Sequence, residues 1–401
     1  MPEFVLINIT GRDRPGLSTA LMGVLAEGGA SLLDVSQNVT HGALAFTAVV
    51  ELTVAPAQTL QVSLEAACTG LGVQAHIQAM AMPEYAHWAQ AQAQPRYVLS
   101  VLTHGLVAAQ LHEVTRIVAS HGLEVERIDR LSALAYLDGA TPATHGCVDV
   151  RLQGSPADPQ ALRAELLEAA RVLNVDIALQ LDDINRRHRR LAVFDMDSTL
   201  IQAEVIDELA KAAGVGEQVS AITERAMRGE LDFRASFIER MALLKGLDVS
   251  VLDEIGAALR LTDGAEALFA GLKRLGYKTA ILSGGFTYFA RQVQARLGID
   301  YVYANELQVE DGKCTGVAVE PIVDAQRKAD LLRELAAREG LSLEQTIAVG
   351  DGANDLPMLA IAGLGVAFRA KPLVKASARH SISTLGLEGV LYLLGVEDRL
   401  L

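Results

Sequence analysis

The sequence predicts an α/β protein: a doubly wound parallel sheet with an inserted helical cap, preceded by two βαββαβ units. Three observations carry this reading. The hydrophobic run Leu191-Ala192-Val193-Phe194 leads into Asp195-Met196-Asp197-Ser198-Thr199, and Thr346-Ile347-Ala348-Val349 leads into Gly350-Asp351-Gly352-Ala353-Asn354-Asp355. Strand and helix patterns alternate around these two runs, and one order of strands and helices occurs twice before them. In an open parallel sheet the carboxyl ends of the strands form the ligand crevice, so two such tips can gather Asp195, Asp197, Asp351 and Asp355 around one point. Carboxylates in a partly dry cleft repel one another unless a cation neutralises them, and an oxygen-only ligand set suits Mg²⁺.

The first unit, residues 1–82, reads strand, helix, strand, strand, helix, strand. Leu17, Leu21, Val24 and Leu25 share a helix face, while Leu44, Phe46, Ala48, Val50, Leu52 and Val54 alternate as in a half-buried strand. Leu60, Leu64 and Ala67 stripe the second helix, and Val73, Ala75 and Ile77 supply the last strand. The Ala/Gln-rich stretch 83–95 reads as a linker, with Tyr85 and Trp88 able to pin it to a neighbour. The second unit, 96–182, repeats the order. Tyr97 to Thr103 forms a strand, Leu111, Val114, Val118 and His121 share a helix face, and Val148, Val150 and Leu152 alternate. Leu162, Leu166, Ala170 and Leu173 stripe a further helix before Val175, Ile177, Leu179 and Leu181. Gly16 aligns with Gly105, which marks an internal repeat.

Residues 183–401 carry the acidic motifs. The run Arg186-Arg187-His188-Arg189-Arg190 reads as a solvated connector before the first acidic strand. From about 202 to 261 the chain is rich in Ala, Leu, Glu and Arg without strand alternation, the pattern of an inserted helical cap. Strands at Tyr277–Leu282, Tyr301–Ala304, Thr346–Gly350 and Gly365–Phe368 then alternate with helices at Phe286–Leu297 and Ala325–Arg338, and Glu310-Asp311-Gly312-Lys313 marks a hairpin.

Bulk properties narrow the function. At 401 residues and 50% apolar composition the chain can fill several cores, and Lys plus Arg total 35 against 49 Asp plus Glu, a net charge of -14. That balance opposes general binding to nucleic acid or to an anionic membrane, and an anionic substrate needs a local positive pocket. No stretch of about 18 uncharged apolar residues occurs, and Met1-Pro2-Glu3-Phe4 lacks the basic start of a signal peptide, so a cytoplasmic protein is expected. Cys68, Cys147 and Cys314 are far apart and read as buried reduced thiols; no HExxH pattern supports a zinc protease.

Phosphoryl transfer needs an in-line nucleophile, positive charge on the phosphoryl oxygens and a proton donor for the leaving oxygen. Asp195 can attack phosphorus to form an aspartyl phosphate, and Asp197 can protonate the leaving alkoxide and later deprotonate water. Ser283-Gly284-Gly285, after a buried strand and opening a helix, can hold phosphate oxygens, with Lys328 as a compact cation. The carboxylates of Asp195 and Asp351 with the backbone carbonyl of Asp197 would ligate Mg²⁺, and Asn354 and Asp355 would orient the ligands or the lysine from behind.

In order and context these segments resemble the four motifs of the haloacid dehalogenase superfamily of phosphotransferases. The inserted helices sharpen the resemblance to the phosphoserine phosphatase family, through Glu204, nine residues past Asp195, and Met227-Arg228-Gly229-Glu230-Leu231-Asp232-Phe233 through Ser236 to Arg240. This implies hydrolysis of O-phospho-L-serine to L-serine and phosphate. Glu204 would pair the substrate ammonium, the planar fork of Arg240 its carboxylate, and Met227 and Phe233 would wall the pocket. Ser283, Gly284, Lys328 and Asn354 complete the substrate-binding set that the resemblance implies.

The turn Thr10-Gly11-Arg12-Asp13-Arg14-Pro15-Gly16-Leu17 resembles the ACT family of small-molecule-sensing domains, which implies a ferredoxin-like unit and an amino-acid effector. Gly16 would leave room for the effector carboxylate and Asp13 would pair its ammonium; the alternative is a tight turn with a helix cap. The second unit has Leu102-Thr103-His104-Gly105-Leu106 there, with neither Asp nor Pro, so only Gly105 carries over. Sheet edges and helix faces of such units pair between subunits, so a homodimer is expected. Two other readings stay open: a phosphatase of the same superfamily acting on another small phosphate or a phosphoprotein, and an amino-acid-binding regulator with a silent phosphatase core.

Overall fold

The computed structural model describes residues 3–53, 56–133, 145–228 and 230–400; Val54, Gly229 and the side chain of Met227 lie outside that description. The chain forms two compact bodies, residues 1–94 and 95–401.

In the first body, a four-stranded antiparallel sheet runs Ala30–Thr40, Ala43–Leu52, Glu3–Arg12, Val73–Met80 from edge to edge. The alternation read in the sequence is a register of paired strands, with Ile7 opposite both Ala48 and Ile77. Helices Leu17–Glu27 and Ala57–Leu71 close one face, burying Leu17, Leu21 and Leu25 from one and Leu60, Leu64 and Cys68 from the other. Cys68 takes the place expected for Ala67, because four residues past Leu64 is nearer one helical turn than three. The stretch expected to be a linker is instead a helix over Met82–Ala91. Glu84 accepts the Ala81 N–H at 3.0 Å, and Ala and Gln favour helix once the start is capped. Tyr85 stacks on Phe4 with ring centroids 4.3 Å apart, which anchors this helix to the sheet.

The second body begins with the same architecture. Its sheet order is Leu123–Arg130, Val148–Gly154, Arg96–Leu102, Asp176–Leu181, and helices Ala108–Ser120 and Pro159–Leu173 cover it. The buried stripe of the first helix is Gln110, Val114, Ile117 and Val118; His121 is the residue after its last turn and pairs with Glu165 at 3.0 Å. On the second helix the stripe ends in Ala169 rather than Ala170.

A six-stranded, all-parallel sheet follows, in the order Tyr301–Asn305, Lys278–Phe286, Leu191–Phe194, Thr346–Gly350, Leu364–Phe368, His380–Ile382. The last strand was not legible: it has three residues and no alternation to recognise. Leu191–Phe194 sits at the centre and is wholly buried, as a parallel strand covered on both faces must be. Four cap helices follow it, Val205–Ala212, Gly216–Met227, Phe233–Leu243 and Val251–Ala258, and the Ile201–Leu261 bridge closes their base. The hairpin Leu307–Glu310 with Lys313–Ala318 stands apart from the main sheet and bonds to the cap through Gly246 N–H to Cys314 O and Cys314 N–H to Leu247 O, both 2.8 Å.

The arginine-rich run is only in part the solvated connector expected: Arg187, His188 and Arg190 are exposed, but its other two residues are buried. Arg186 and Arg189 are 7% and 5% exposed. Arg186 lies against Asp149 at 3.4 Å and Asp182 at 3.7 Å, while Arg189 donates to Gln180 Oε1 at 3.0 Å and Gly363 O at 3.3 Å. Asp176 accepts the Ser383 and Thr384 amides at 2.9 and 2.7 Å. Leu102, Leu131, Cys147 and Ala178 of the second unit belong to the same apolar core as Phe194 and Phe286, so the second unit packs on the parallel-sheet layer through a shared interior. All three cysteines are buried and unbridged. No described helix is long and apolar enough to cross a membrane.

Candidate active site

Sheet order alone brings three motifs together, because the strands ending near Ser283 and Asp351 flank the one ending at Asp195. Beyond Phe194 the backbone stays tethered, with Asp195 N–H donating to Val349 O at 2.9 Å. The Asp195 Oδ1 accepts Met196 N–H at 2.7 Å and faces Lys328 Nζ at 2.9 Å. Lys328 projects from helix Ala325–Arg338, is fully buried, and donates to Asp355 Oδ1 at 2.7 Å. The other oxygen of Asp355 accepts Gly352 N–H at 2.9 Å.

Ser283-Gly284-Gly285 departs from expectation in one respect. These residues continue the strand Lys278–Phe286 through an irregular register, and the helix starts only at Thr287. The Gly285 N–H donates to Ser283 Oγ at 2.9 Å, which leaves the hydroxyl proton for a phosphate oxygen. A Cβ on Gly285 would fall 2.4 Å from Asp197 Oδ2, so glycine lets the strand tip approach that carboxyl without displacing it.

Asp197 Oδ1 accepts Val205 N–H at 3.1 Å, tying the loop to the first cap helix. Between them Ser198 adopts φ 55°, the left-handed region that a non-glycine residue enters at a cost of about 1 kcal/mol or more. That turn directs Ser198 Oγ to Glu204 Oε1 at 2.7 Å and sends the chain into the cap.

Electrostatics follow from burial and crowding. Asp195 is pushed well above the carboxylate range, by burial first and then by Asp355, with Lys328 opposing. Burial and then Glu204 push Asp197 up to about 8. Asp351 rises to about 7 through burial, Asp355 and Glu204. Burial works to lower Lys328, but Asp195 and Asp355 outweigh it and hold the ammonium above its usual value. One lysine thus faces four acids. The carboxylate oxygens of Asp195, Asp351 and Asp355 can lie within 4.8 Å of one another, hard donors at the spacing a divalent cation bridges. Both Asp355 oxygens are already bonded to Lys328 and Gly352, whereas Asp351 Oδ1 has the Thr199 hydroxyl at 3.1 Å, so Asp195 and Asp351 have the greater freedom to ligate.

Over this floor lies a cavity of about 500 Å³. Asp195, Asp197, Gly284, Asp351 and Asn354 line it from the core, and Glu204, Phe233 and Arg240 from the cap. A Cβ on Gly284 would come 2.8 Å from the Phe233 ring, so the cap rests on the strand tip. Burial lowers the Arg240 pKa, opposed by Glu204, Asp207 and Asp197, and its Nε donates to Ser236 O at 3.3 Å. Met227, expected to wall the cavity, lies outside the described side chains. Thr199, against Asp351, and Ser236, whose buried hydroxyl has no partner among the described residues, stand in the quoted motifs without an assigned role, and Asn305, which bridges Gly284 O and Val323 N–H at 2.8 Å each, went unread. No local motif distinguishes such residues from ordinary polar core positions.

Of the effector residues, Gly16 has φ 86° at the start of helix Leu17–Glu27, and Asp13 N–H bonds Gly42 O at 2.8 Å in the same turn. Gly105 is not its equivalent. Its N–H lies 3.4 Å from Thr103 Oγ1, its backbone is not left-handed, and the following helix begins three residues later at Ala108.

A helical cap on a parallel sheet whose central strand delivers an aspartate to a buried lysine is the architecture of a haloacid dehalogenase-like hydrolase. The family model of that description matches residues 192–360, and one described as an ACT domain matches 3–78. The chain is 41% identical over 392 residues to a phosphoserine phosphatase of Streptomyces coelicolor, covering 98% of this chain and 92% of the relative. It is 40% identical over 395 residues to phosphoserine phosphatase SerB2 of Mycobacterium tuberculosis, covering 98% and 93%. Among solved structures, a HAD family hydrolase from Salmonella enterica matches with TM-score 0.64 at 32% identity, over 74% of this chain and 98% of that one. A probable phosphoserine phosphatase from Vibrio cholerae, in unliganded form, matches with TM-score 0.60 at 37% identity, over 74% and 86%. The chain belongs to the phosphoserine phosphatase family.

Proposed function

We propose that the chain is a Mg²⁺-dependent phosphoserine phosphatase that converts O-phospho-L-serine to L-serine and phosphate, the last step of L-serine biosynthesis, through an aspartyl phosphate. The observation that carries this is Asp195, held 2.9 Å from a fully buried Lys328 on the floor of a cavity whose cap wall presents Glu204 and Arg240. The names of the relatives support the choice of substrate.

A carboxylate oxygen of Asp195 attacks phosphorus as the bond from phosphorus to the serine oxygen breaks, and Asp197 gives its proton to that oxygen. In the chain without metal, burial and then Glu204 raise the Asp197 pKa to about 8, which favours the protonated form that this role needs. Asp197 then takes a proton from the water that attacks the aspartyl phosphate, which returns Asp195 and releases phosphate. Ser283 and Lys328 hold the phosphoryl oxygens, and Asp355 fixes the lysine. Glu204 pairs the substrate ammonium, Arg240 its carboxylate, and Phe233 with Met227 excludes water; Gly284 and Asn354 complete the contact surface. The carboxylates of Asp195 and Asp351 and the carbonyl of Asp197 would hold Mg²⁺, which when bound neutralises the crowded acids and polarises the phosphoryl group.

In this reading residues 1–82 and 96–182 are two ACT-like regulatory domains ahead of the catalytic part, 183–401. An amino-acid effector would use Asp13 and Gly16, with Gly105 a weaker candidate, and the enzyme would work as a cytoplasmic homodimer. Phosphate release from O-phospho-L-serine and from a panel of other phosphate esters tests the assignment. Preference for phosphoserine, abolished by Asp195→Asn in a folded chain, is expected; an inactive parent chain, or equal rates across the panel, would overturn it.

A further inference from the structure

A second cavity, of about 440 Å³, lies between the second βαββαβ unit and the phosphatase core, both within residues 95–401, and shares no lining residue with the active site. The charged groups of its lining carry a positive excess. Arg163, Arg189, Lys375, Arg379 and His380 face it, against the carboxylates of Asp183 and Glu344. Asp183 is engaged as a helix cap, accepting Arg186 N–H at 2.9 Å. Four fixed positive charges therefore outnumber two negative ones.

Of these cations Arg163 and Arg379 are exposed, whereas Arg189 is 5% exposed and its guanidinium is bonded to Gln180 and Gly363. Burial, then Arg189, Arg163 and Arg379, depress the His380 pKa to about 3, so the imidazole stays neutral and adds no charge. An incoming anion would pair with Arg163 and Arg379 and offset the surplus positive charge of the lining. Beside the polar Gln180, Asn185 and Ser381, the wall has an apolar side from Leu166, Leu167, Ile177 and Leu179, which favours a ligand with an apolar body over a bare inorganic ion.

This cavity also touches the element that walls the active site. Helix Pro372–Ser377 and its flanks place Lys371, Leu373 and Val374 on the active-site cavity, and Lys375, Ala378 and Arg379 on the second one. The far end of the helix is held by the second unit. Nη2 of Arg163 donates to Ala376 O at 3.2 Å and also to Ala378 O. A carboxylate engaging Arg163 competes with those two carbonyls and so loosens one end of a helix whose other end lines the substrate pocket.

We propose that this cavity binds a small organic carboxylate with an apolar body, and that its occupancy is transmitted to the active site through Arg163 and helix Pro372–Ser377. The binding site stands on the cavity alone; the effect on turnover rests on the phosphatase reading above. The test uses the full chain. 4-Methylvalerate is titrated by calorimetry into the parent, Arg163→Met and Arg379→Met chains, with inorganic phosphate as a second probe, and phosphoserine turnover is followed in parallel. Saturable 4-methylvalerate binding is expected, weakened at least tenfold in both variants. Saturation should change KM at least twofold in the parent and leave KM of Arg379→Met unchanged, while Arg379→Met without ligand keeps parental turnover. Absence of saturable binding, or binding that both variants retain, would overturn the site. Phosphate binding that is equally strong and equally sensitive to the variants would overturn the ligand class, and variant-sensitive binding without any change in KM would overturn the coupling. Because calorimetry needs no turnover, an inactive chain would leave the binding result interpretable.

Discussion

Asp351 offers a quantitative test of the claim that the acid cluster is built around a divalent cation. In the chain without metal, burial and the neighbouring Asp355 and Glu204 raise its pKa from 3.8 to about 7. The folded state therefore binds more protons than the unfolded state between about pH 4 and 7, so this group makes stability fall as pH rises through that window. The full penalty, present above the folded pKa, is the 3.8-to-7 shift of about three units, or on the order of 4 kcal/mol. Between pH 6 and 8 the portion released is about 1.4 kcal/mol, because Asp351 passes from mostly neutral to mostly charged. Urea unfolding followed by far-ultraviolet circular dichroism, in chelator, should show the wild type losing about that much more stability than Asp351→Asn over those two pH units. Mg²⁺ should stabilise the wild type more at pH 8 than at pH 6, since the ion binds the charged form. If both chains follow the same pH slope in chelator, or Mg²⁺ stabilises them equally at both pH values, the electrostatic account of the cluster fails.

Other perturbations test separate parts of the site. Arg240→Ala removes a half-buried cation from the proposed carboxylate clamp, which should cost about 3 kcal/mol, roughly a hundredfold in kcat/KM for phosphoserine, with far less effect on an aryl phosphate; equal losses would take Arg240 out of the pocket. Gly285→Ala puts a Cβ where Asp197 Oδ2 lies 2.4 Å away, so kcat should fall at least about tenfold through misplacement of the acid while KM moves little, and an unchanged kcat would show that the approach is not needed. Lys328→Met leaves Asp195 and Asp355 buried without their shared cation, and chemical unfolding at pH 7 should register about 3–5 kcal/mol of lost stability, partly recovered at lower pH as the acids protonate. Thr199→Val removes the hydroxyl bonded to Asp351, and a Mg²⁺ titration of activity should show affinity weakened about tenfold or more, whereas unaltered affinity would make that bond incidental.

The sequence was most readable where physical periodicity and chemistry coincide. Leu191–Phe194 could be placed because four consecutive apolar residues running into two aspartates suit the buried tip of a parallel strand and little else; Ser283 and Asp351 followed from strand ends, and Lys328 was singled out by the resemblance to the haloacid dehalogenase motifs. Reading failed where a residue's environment comes from distant chain. The Ala/Gln stretch looked like a linker because helix and linker compositions overlap, and it is a helix held by Phe4. The arginine run looked solvated because charge usually is; Asp149, Asp182, Gln180 and Gly363, gathered by the fold, supply the partners that let Arg186 and Arg189 be buried. Gly105 looked like Gly16 until the backbone showed different turns.

By itself the sequence determined the α/β class, the paired βαββαβ pattern, the inserted cap and the list of acids, base and hydroxyl, because these are set by local periodicity and by which functional groups the chain contains. Tertiary structure alone decided how those groups act on each other. A lysine on an amphipathic helix has an ordinary pKa until sheet order buries it between Asp195 and Asp355, and a carboxyl is an ordinary acid until burial beside Glu204 holds its proton near neutral pH. Interaction energies depend on distance and on exclusion of water, and neither is written in residue order.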